Sequence, residues 1–327
     1  MEYKNILLLF IILLSLMFFY SLSSYKSLMI GVAVEGINFP SVEIDKLKKN
    51  LGFNPAMMMF YLSWTDKNNQ QQVMLSLASL NNIWKQGSLP CLTWEPKDVL
   101  ASDVLKGLWD EYLNNMVNMM KSYDKPIIIR LAHEMNLQSY HWGVNSNDYN
   151  ENTPILYREF FRYIYKFFQD RKVYNVIFAF SPNVDSLPNT SWNRISNYYP
   201  GDAWVDIVGL DGYNFGSSMV QNKDGWTSTW RLFSDIFSSA YQELKKISSK
   251  KPFFIFETAS SLDGGDRIFW VQDALKTARQ WNIKGLIWFN INKETDWRLT
   301  DKEKKLLKTI SAQKWAKEVV FEKKRSH

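Results

Sequence analysis

Two glutamates carry the chemistry that this sequence is equipped to do. Glu134 follows an arginine and a histidine in RLAHEMN, and Glu257 follows the apolar run FFIF directly. A carboxylate at the rim of an apolar segment sits where burial and neighbouring charges shift its pKa. Two such groups facing one sugar ring meet the needs of glycosidic hydrolysis: one protonates the leaving oxygen while the other attacks the anomeric carbon or activates water. Pro126 to Gly143, PIIIRLAHEMNLQSYHWG, opens with Ile127, Ile128 and Ile129 behind a proline, the pattern of a strand covered on both faces. Strand alternation then sends Ile128, Arg130, Ala132 and Glu134 to one side. An arginine and a glutamate there must be paired or put to use, because an isolated buried charge is costly. A structural ion pair at a strand end is the competing reading.

The elements that must position these residues alternate along the chain. Short apolar runs fall at Leu28–Val34, Ala56–Trp64, Leu89–Trp94, the opening of the Pro126 stretch, Val173–Phe180, Val205–Tyr213, Pro252–Glu257 and Ile283–Ile291. Helical or long polar segments follow them, including Gln72–Trp84, Val104–Tyr123, Ile155–Asp170, Trp230–Ile247, Arg267–Trp281 and Asp301–Ser311. Parallel strands with helical crossovers give this pattern, and eight units in about 300 residues match a (β/α)8 TIM barrel. An open doubly wound sheet should carry a Gly-rich loop after the first strand, and GVAVEG at 31–36 is not one. No linker or internal repeat divides the chain. In a barrel the site lies at the carboxyl ends of the strands, which here hold Glu35, Trp64, Trp94, Glu95, Asn183, Asp211 and Asn290 beside the two glutamates.

Composition narrows the classes. With 327 residues, 46% of them hydrophobic, the chain has material for a substantial core. Its net charge of +6 is scattered over helical segments with no basic stripe, so nucleic acid is not an expected partner. Cys91 is the only cysteine and excludes an intrachain disulfide. Three histidines, and Leu137 where HExxH needs its second histidine, argue against a metal enzyme. No metal and no cofactor are expected. Asp263-Gly-Gly-Asp266 reads as a turn opening a helix, not a calcium loop. Ile6 to Leu22 is an apolar run between the lengths of a signal-peptide core and a spanning helix. Residues 1–24 are therefore set apart as a signal peptide or membrane anchor, and 25–327 as one catalytic domain. The domain is expected outside the cytoplasm, extracellular or periplasmic, touching a membrane only through residues 6–22 if these are kept.

RLAHEMN resembles the acid/base signature of glycoside hydrolase family 26. TWEP at 93–96, YPGDAWVDIVGLDGYN at 199–214, FETASS at 256–261 and WFNINKETDWR at 288–298 agree with that family, in its order and across the barrel. The resemblance implies a retaining mechanism with Glu134 as general acid/base and Glu257 as nucleophile, their carboxyls about 5–5.5 Å apart. It implies that Tyr213 hydrogen-bonds Glu257 and that His133 and Asn136 contact the sugar. Trp142 and Trp288 would be stacking platforms, Arg130 would pair with an acid in the barrel mouth, and Trp94 and Glu95 would line the substrate site. The implied partner is a polysaccharide, β-mannan or mixed-linkage β-glucan, cleaved internally by a monomeric enzyme. Leu137 stands where the family's mannanases tend to carry glycine, and Glu95 where they often carry histidine; TWEP and KETDWR look more like its glucan-cleaving branch. A non-catalytic polysaccharide-binding barrel associated with exopolysaccharide production is the alternative, as is an assembly partner anchored beside a secretion system.

Overall fold

A computed structural model describes residues 28–66, 71–143 and 153–310. The apolar segment expected to direct or anchor the chain lies outside the described residues. Eight strands, β1 (Met29–Ala33), β2 (Met57–Ser63), β3 (Leu89–Glu95), β4 (Ile127–Leu131), β5 (Val176–Phe180), β6 (Ile207–Asn214), β7 (Phe253–Ser260) and β8 (Gly285–Phe289), close in sequence order into one barrel. Every pairing is parallel, β8 returning to β1 with Met29 opposite Gly285. The strands are covered on both faces, which is why they read as apolar runs without alternation. All residues of β1, β3, β4, β5, β7 and β8 are buried.

Helices fill the crossovers: α1 (Ser41–Leu51), α2 (Leu77–Lys85), α3 (Ala101–Leu105), α4 (Asp110–Tyr123), α5 (Pro154–Asp170), α6 (Ile195–Tyr198), α7 (Gln221–Asp224), α8 (Phe233–Ile247), α9 (Arg267–Gln280) and α10 (Asp301–Ile310). The amphipathic stretch read over Val104–Tyr123 falls in two helices, because Gly107 takes φ 83° and turns the chain between α3 and α4. Helix α5 shows how sequence places an element. Thr153 accepts from Leu156 N at 3.1 Å as N-cap, and Pro154 occupies the first turn, where its missing N–H is harmless. Tyr157, Phe160, Phe161, Ile164, Phe167 and Phe168 then recur at helical spacing and are buried against the sheet. Asp266 caps α9 through Ile268 N and Phe269 N, the helix start expected of the Asp-Gly-Gly-Asp segment.

Two irregularities interrupt the barrel beside the glutamates. Strand β4 stops at Leu131, and both Ala132 (φ 46°) and Glu134 (φ 51°) are left-handed, so the simple alternation expected to run from Ile128 to Glu134 ends early. In β7, Ile255 pairs with Leu210 but Glu257 pairs with Asp211, leaving Phe256 as an extra residue. A bulge of this kind re-aims the side chains that follow it.

Candidate active site

The carboxyl ends of the strands surround an open cleft of about 1620 Å³. Glu134 and Glu257 both line it, with Tyr61, His133, Tyr140 and Tyr213 around them. Each glutamate is held in a different environment, and the difference follows from its neighbours.

Glu257 is the anchored one. Arg130, fully buried, donates from Nη1 to Glu257 Oε1 (2.8 Å) and to Thr93 Oγ1 (2.9 Å), and from Nη2 to Asp211 Oδ2 (2.5 Å). Tyr61 donates to Glu257 Oε1 (2.8 Å) and Tyr213 to Oε2 (2.5 Å). Burial by itself would raise the pKa of Glu257; the Arg130 cation and the hydroxyl and guanidinium donors outweigh it and hold the carboxyl down at about 2. This group is a carboxylate at every ordinary pH. Its donors fix both oxygens in place.

Glu134 is the opposite case. It takes a hydrogen bond from Asn183 Nδ2 at 2.6 Å, and its backbone N–H donates to Ser181 O at 2.8 Å, which ties the left-handed turn to the end of β5. Burial, then the negative charge of Glu257, push its pKa up to about 7, with the hydrogen bonds from Asn183 and Tyr140 working against them. Glu134 therefore keeps its proton into the neutral range while Glu257 keeps its charge. His133 packs with its ring 4.9 Å from that of Tyr140 and its Nε2 3.9 Å from Glu257 Oε1. Burial, with the Arg130 cation adding to it, lowers the His133 pKa to about 3, so the ring is neutral.

Several residues expected in the cleft stand elsewhere. Trp94 is fully buried in the layer between sheet and helices, its ring 4.8 Å from Trp64 and its Nε1 donating to Tyr112. Its strand neighbours explain why: Thr93 reaches Arg130 inside the barrel and Glu95 reaches the cleft, so period two turns Trp94 outward. Trp288 is turned outward in the same way, 5.8 Å from Trp270, while Phe289 beside it lines the cleft. Trp142 donates from Nε1 to His133 O at 2.6 Å and stacks on Tyr140; it is Tyr140 that faces the cleft. Asn136 does not reach the cleft, being fully buried with Nδ2 on Asn183 O, Asp185 O and Ser186 Oγ and Oδ1 taking Asn183 N. It fastens the β5 loop that carries Asn183 to Glu134. Arg130 pairs with two acids beneath the cleft floor and is itself sealed from it. Glu95 does line the cleft, held by Ser63 Oγ (3.2 Å) and Lys97 Nζ (3.4 Å).

Sequence reasoning missed Tyr61, Tyr140, Asn183 as the partner of Glu134, and Trp297. Tyr61 was discoverable: on β2 it lies two residues from both Met59 and Ser63, and these three share one face by alternation. Trp297 sits in the WFNINKETDWR segment, lines the cleft, and packs 5.1 Å from Tyr213 and 5.0 Å from Phe215. Trp297 is buried and backs Tyr213 from behind, whereas the half-buried Tyr140 offers the cleft an aromatic ring of the kind that suits the apolar face of a pyranose.

Fold and cleft define a (β/α)8 barrel with a carboxylate pair of opposed proton affinities at the ends of its strands. Residues 97–251 match the family model of glycosyl hydrolase family 26. Endoglucanase H of Acetivibrio thermocellus is 36% identical over 220 residues, covering 66% of this chain and 23% of that protein. A mannan endo-1,4-beta-mannosidase of Bacillus subtilis is 25% identical over 255 residues, 69% of this chain and 63% of that one. The chain thus spans less than two thirds of these relatives' own lengths. Among solved structures, a Cellulomonas fimi endo-beta-1,4-mannanase superposes with a TM-score of 0.64 at 14% identity over 92% of this chain and 75% of that one. A Bacteroides ovatus beta-mannanase gives 0.60 at 18% identity, over 90% and 92%. These structures share the fold. The family match and the 36%-identical relative support glycoside hydrolase family 26 for this chain.

Proposed function

We propose that the barrel is a retaining endo-β-glycosidase that cleaves a β-1,4-linked polysaccharide, a mannan or a mixed-linkage glucan, by double displacement. The observation that carries this is the opposed pair. Glu134, protonated to about pH 7, gives its proton to the glycosidic oxygen as the bond to the anomeric carbon breaks. Glu257, ionised and fixed by Arg130, Tyr61 and Tyr213, attacks that carbon from the other side. Glu134, now a carboxylate, takes a proton from water as the water displaces Glu257. The related endoglucanase and mannosidase support a glucan or a mannan as the polymer, and the cleft is larger than the roughly 300–1,000 Å³ of a compact ligand site, which supports internal cleavage of a chain. With an apolar amino terminus ahead of it, the domain acts outside the cytoplasm in this reading.

A product assay tests the proposal. The purified protein is offered β-1,4-mannan, mixed-linkage β-glucan, xylan and cellulose, with Glu257→Ala as control. One polymer cleaved with retained anomeric configuration, and no cleavage by the variant, is the expected result. Inverted products remove the nucleophile role of Glu257, and binding without cleavage returns the barrel to the non-catalytic alternative.

A further inference from the structure

Asp211 has no part in the two displacement steps, yet it is fully buried and lies 2.5 Å from the guanidinium that anchors the nucleophile. Ser181 Oγ is 3.0 Å from both of its oxygens. A second carboxylate beside a dry cation that already has one needs a reason, since taking each further charge out of water is costly.

The reaction supplies one. When Glu257 bonds to the anomeric carbon, the glycosidic C–O bond breaks, its electron pair takes the proton of Glu134, and Glu257 becomes a neutral ester. Arg130 then faces an uncharged group through Nη1 and has no access to solvent. We infer that Asp211 is the standing counter-ion of Arg130, a positioning residue that keeps the guanidinium neutralised while the charge of Glu257 is consumed in the covalent intermediate. This rests on the double-displacement reading. In the resting protein, burial, opposed by the Arg130 cation and aided by the charge of Glu257, leaves the proton affinity of Asp211 well above that of an ordinary carboxyl. Ester formation removes the Glu257 contribution and leaves the full guanidinium charge to Asp211. Its hold on Arg130 therefore tightens at the step that needs it. Without Asp211, Arg130 would stabilise only the ionised Glu257 of the ground state, which makes a poorer nucleophile.

The test follows covalent labelling of the whole chain by 2-deoxy-2-fluoro aryl β-glycosides of cello- and manno-oligosaccharides, read as added mass on Glu257. These probes need no acid assistance to lose their leaving group, so the rate reports ester formation alone. Asp211→Asn is expected to lower the maximal labelling rate by about 10²- to 10³-fold, the size of effect seen when one preorganised partner of a transition state is lost. The probe concentration for half-maximal labelling should stay unchanged. Asp211→Glu, which keeps the charge, should recover a large part of the rate, and it also serves if the Asn variant does not fold. Labelling of Asp211→Asn at the wild-type rate overturns the inference. So does a loss in which both rate and half-saturation move and Asp211→Glu does not rescue, which is the mark of a merely structural residue. A wild-type protein that hydrolyses its polymer but never carries label on Glu257 overturns the double-displacement reading itself.

Discussion

At the scale of single residues, two glutamates of one type are driven apart by what touches them. Glu257 meets a cation and two hydroxyl donors; Glu134 meets burial and a like charge. The pH dependence follows. Glu134 works as an acid only while protonated, so turnover should fall as pH rises through about 7, with no matching fall on the acid side until far below the ordinary carboxylate range. An initial-rate profile checks both limbs. Asn183→Ala removes a donor that favours the ionised Glu134, so the alkaline limb should move to higher pH while turnover drops. Stability carries the same signature. The pKa of Glu134 is raised on folding, so its contribution is intact below about 4.5 and is lost as pH rises through about 7. Glu134→Gln should therefore be inactive but more stable than the wild type at pH 8, by about 3 kcal/mol, in denaturant titrations at pH 5 and pH 8.

At the scale of elements, the loops that present the cleft are held from behind. Arg267, at the start of α9, makes a buried ion pair with Glu303 of α10 at 2.7 Å and donates to the carbonyls of Asp296, Trp297 and Arg298. Trp288 Nε1 donates to the Trp297 carbonyl as well, at 3.1 Å. This brace sets the loop that carries Trp297 against Tyr213, and through Tyr213 it reaches Glu257. Arg267→Met leaves Glu303 buried without its cation and should destabilise by about 3–5 kcal/mol. The double variant Arg267→Met/Glu303→Leu should recover much of that, yet still bind substrate less tightly because the Asp296 and Arg298 carbonyls lose their donor and Trp297 O keeps only Trp288. Chemical denaturation and KM measured on the same two proteins separate the effects.

At the scale of the whole molecule, closure of the barrel depends on close approach between strands near its weakly paired side. β5 and β6 share only the pairs Ala179–Ile207 and Phe180–Val208. Across the next seam, a Cβ on Gly209 would lie 2.5 Å from the Phe256 ring and 2.7 Å from Phe254 O. Phe256 is also the extra residue of the β7 bulge, and the Arg130 guanidinium stands over its ring. Gly209→Ala should cost about 1–3 kcal/mol or more, as overpacking of a tight interior does, and should also lower activity by pushing Phe256 against Arg130. A melting curve and a rate at a temperature well below the midpoint report the two losses separately.

The sequence by itself determined the eight units, their order and the parallel sheet, because strands covered on both faces must be apolar throughout and their crossovers must be amphipathic. It also marked Glu134 and Glu257, each placed where an apolar run meets polar residues. What it did not decide was which aromatics face the cleft: Trp94, Trp142 and Trp288 look as suitable as Tyr61, Tyr140 and Trp297 until strand parity is known. Parity depends on where a strand ends and where it bulges. The left-handed residues after β4 and the extra Phe256 in β7 are settled by contacts with other strands, not by local preference. The joining of Asp211, Arg130 and Glu257 is likewise a tertiary fact. Its members come from three strands far apart in the chain, and only closure of the barrel puts two carboxylates on one buried guanidinium.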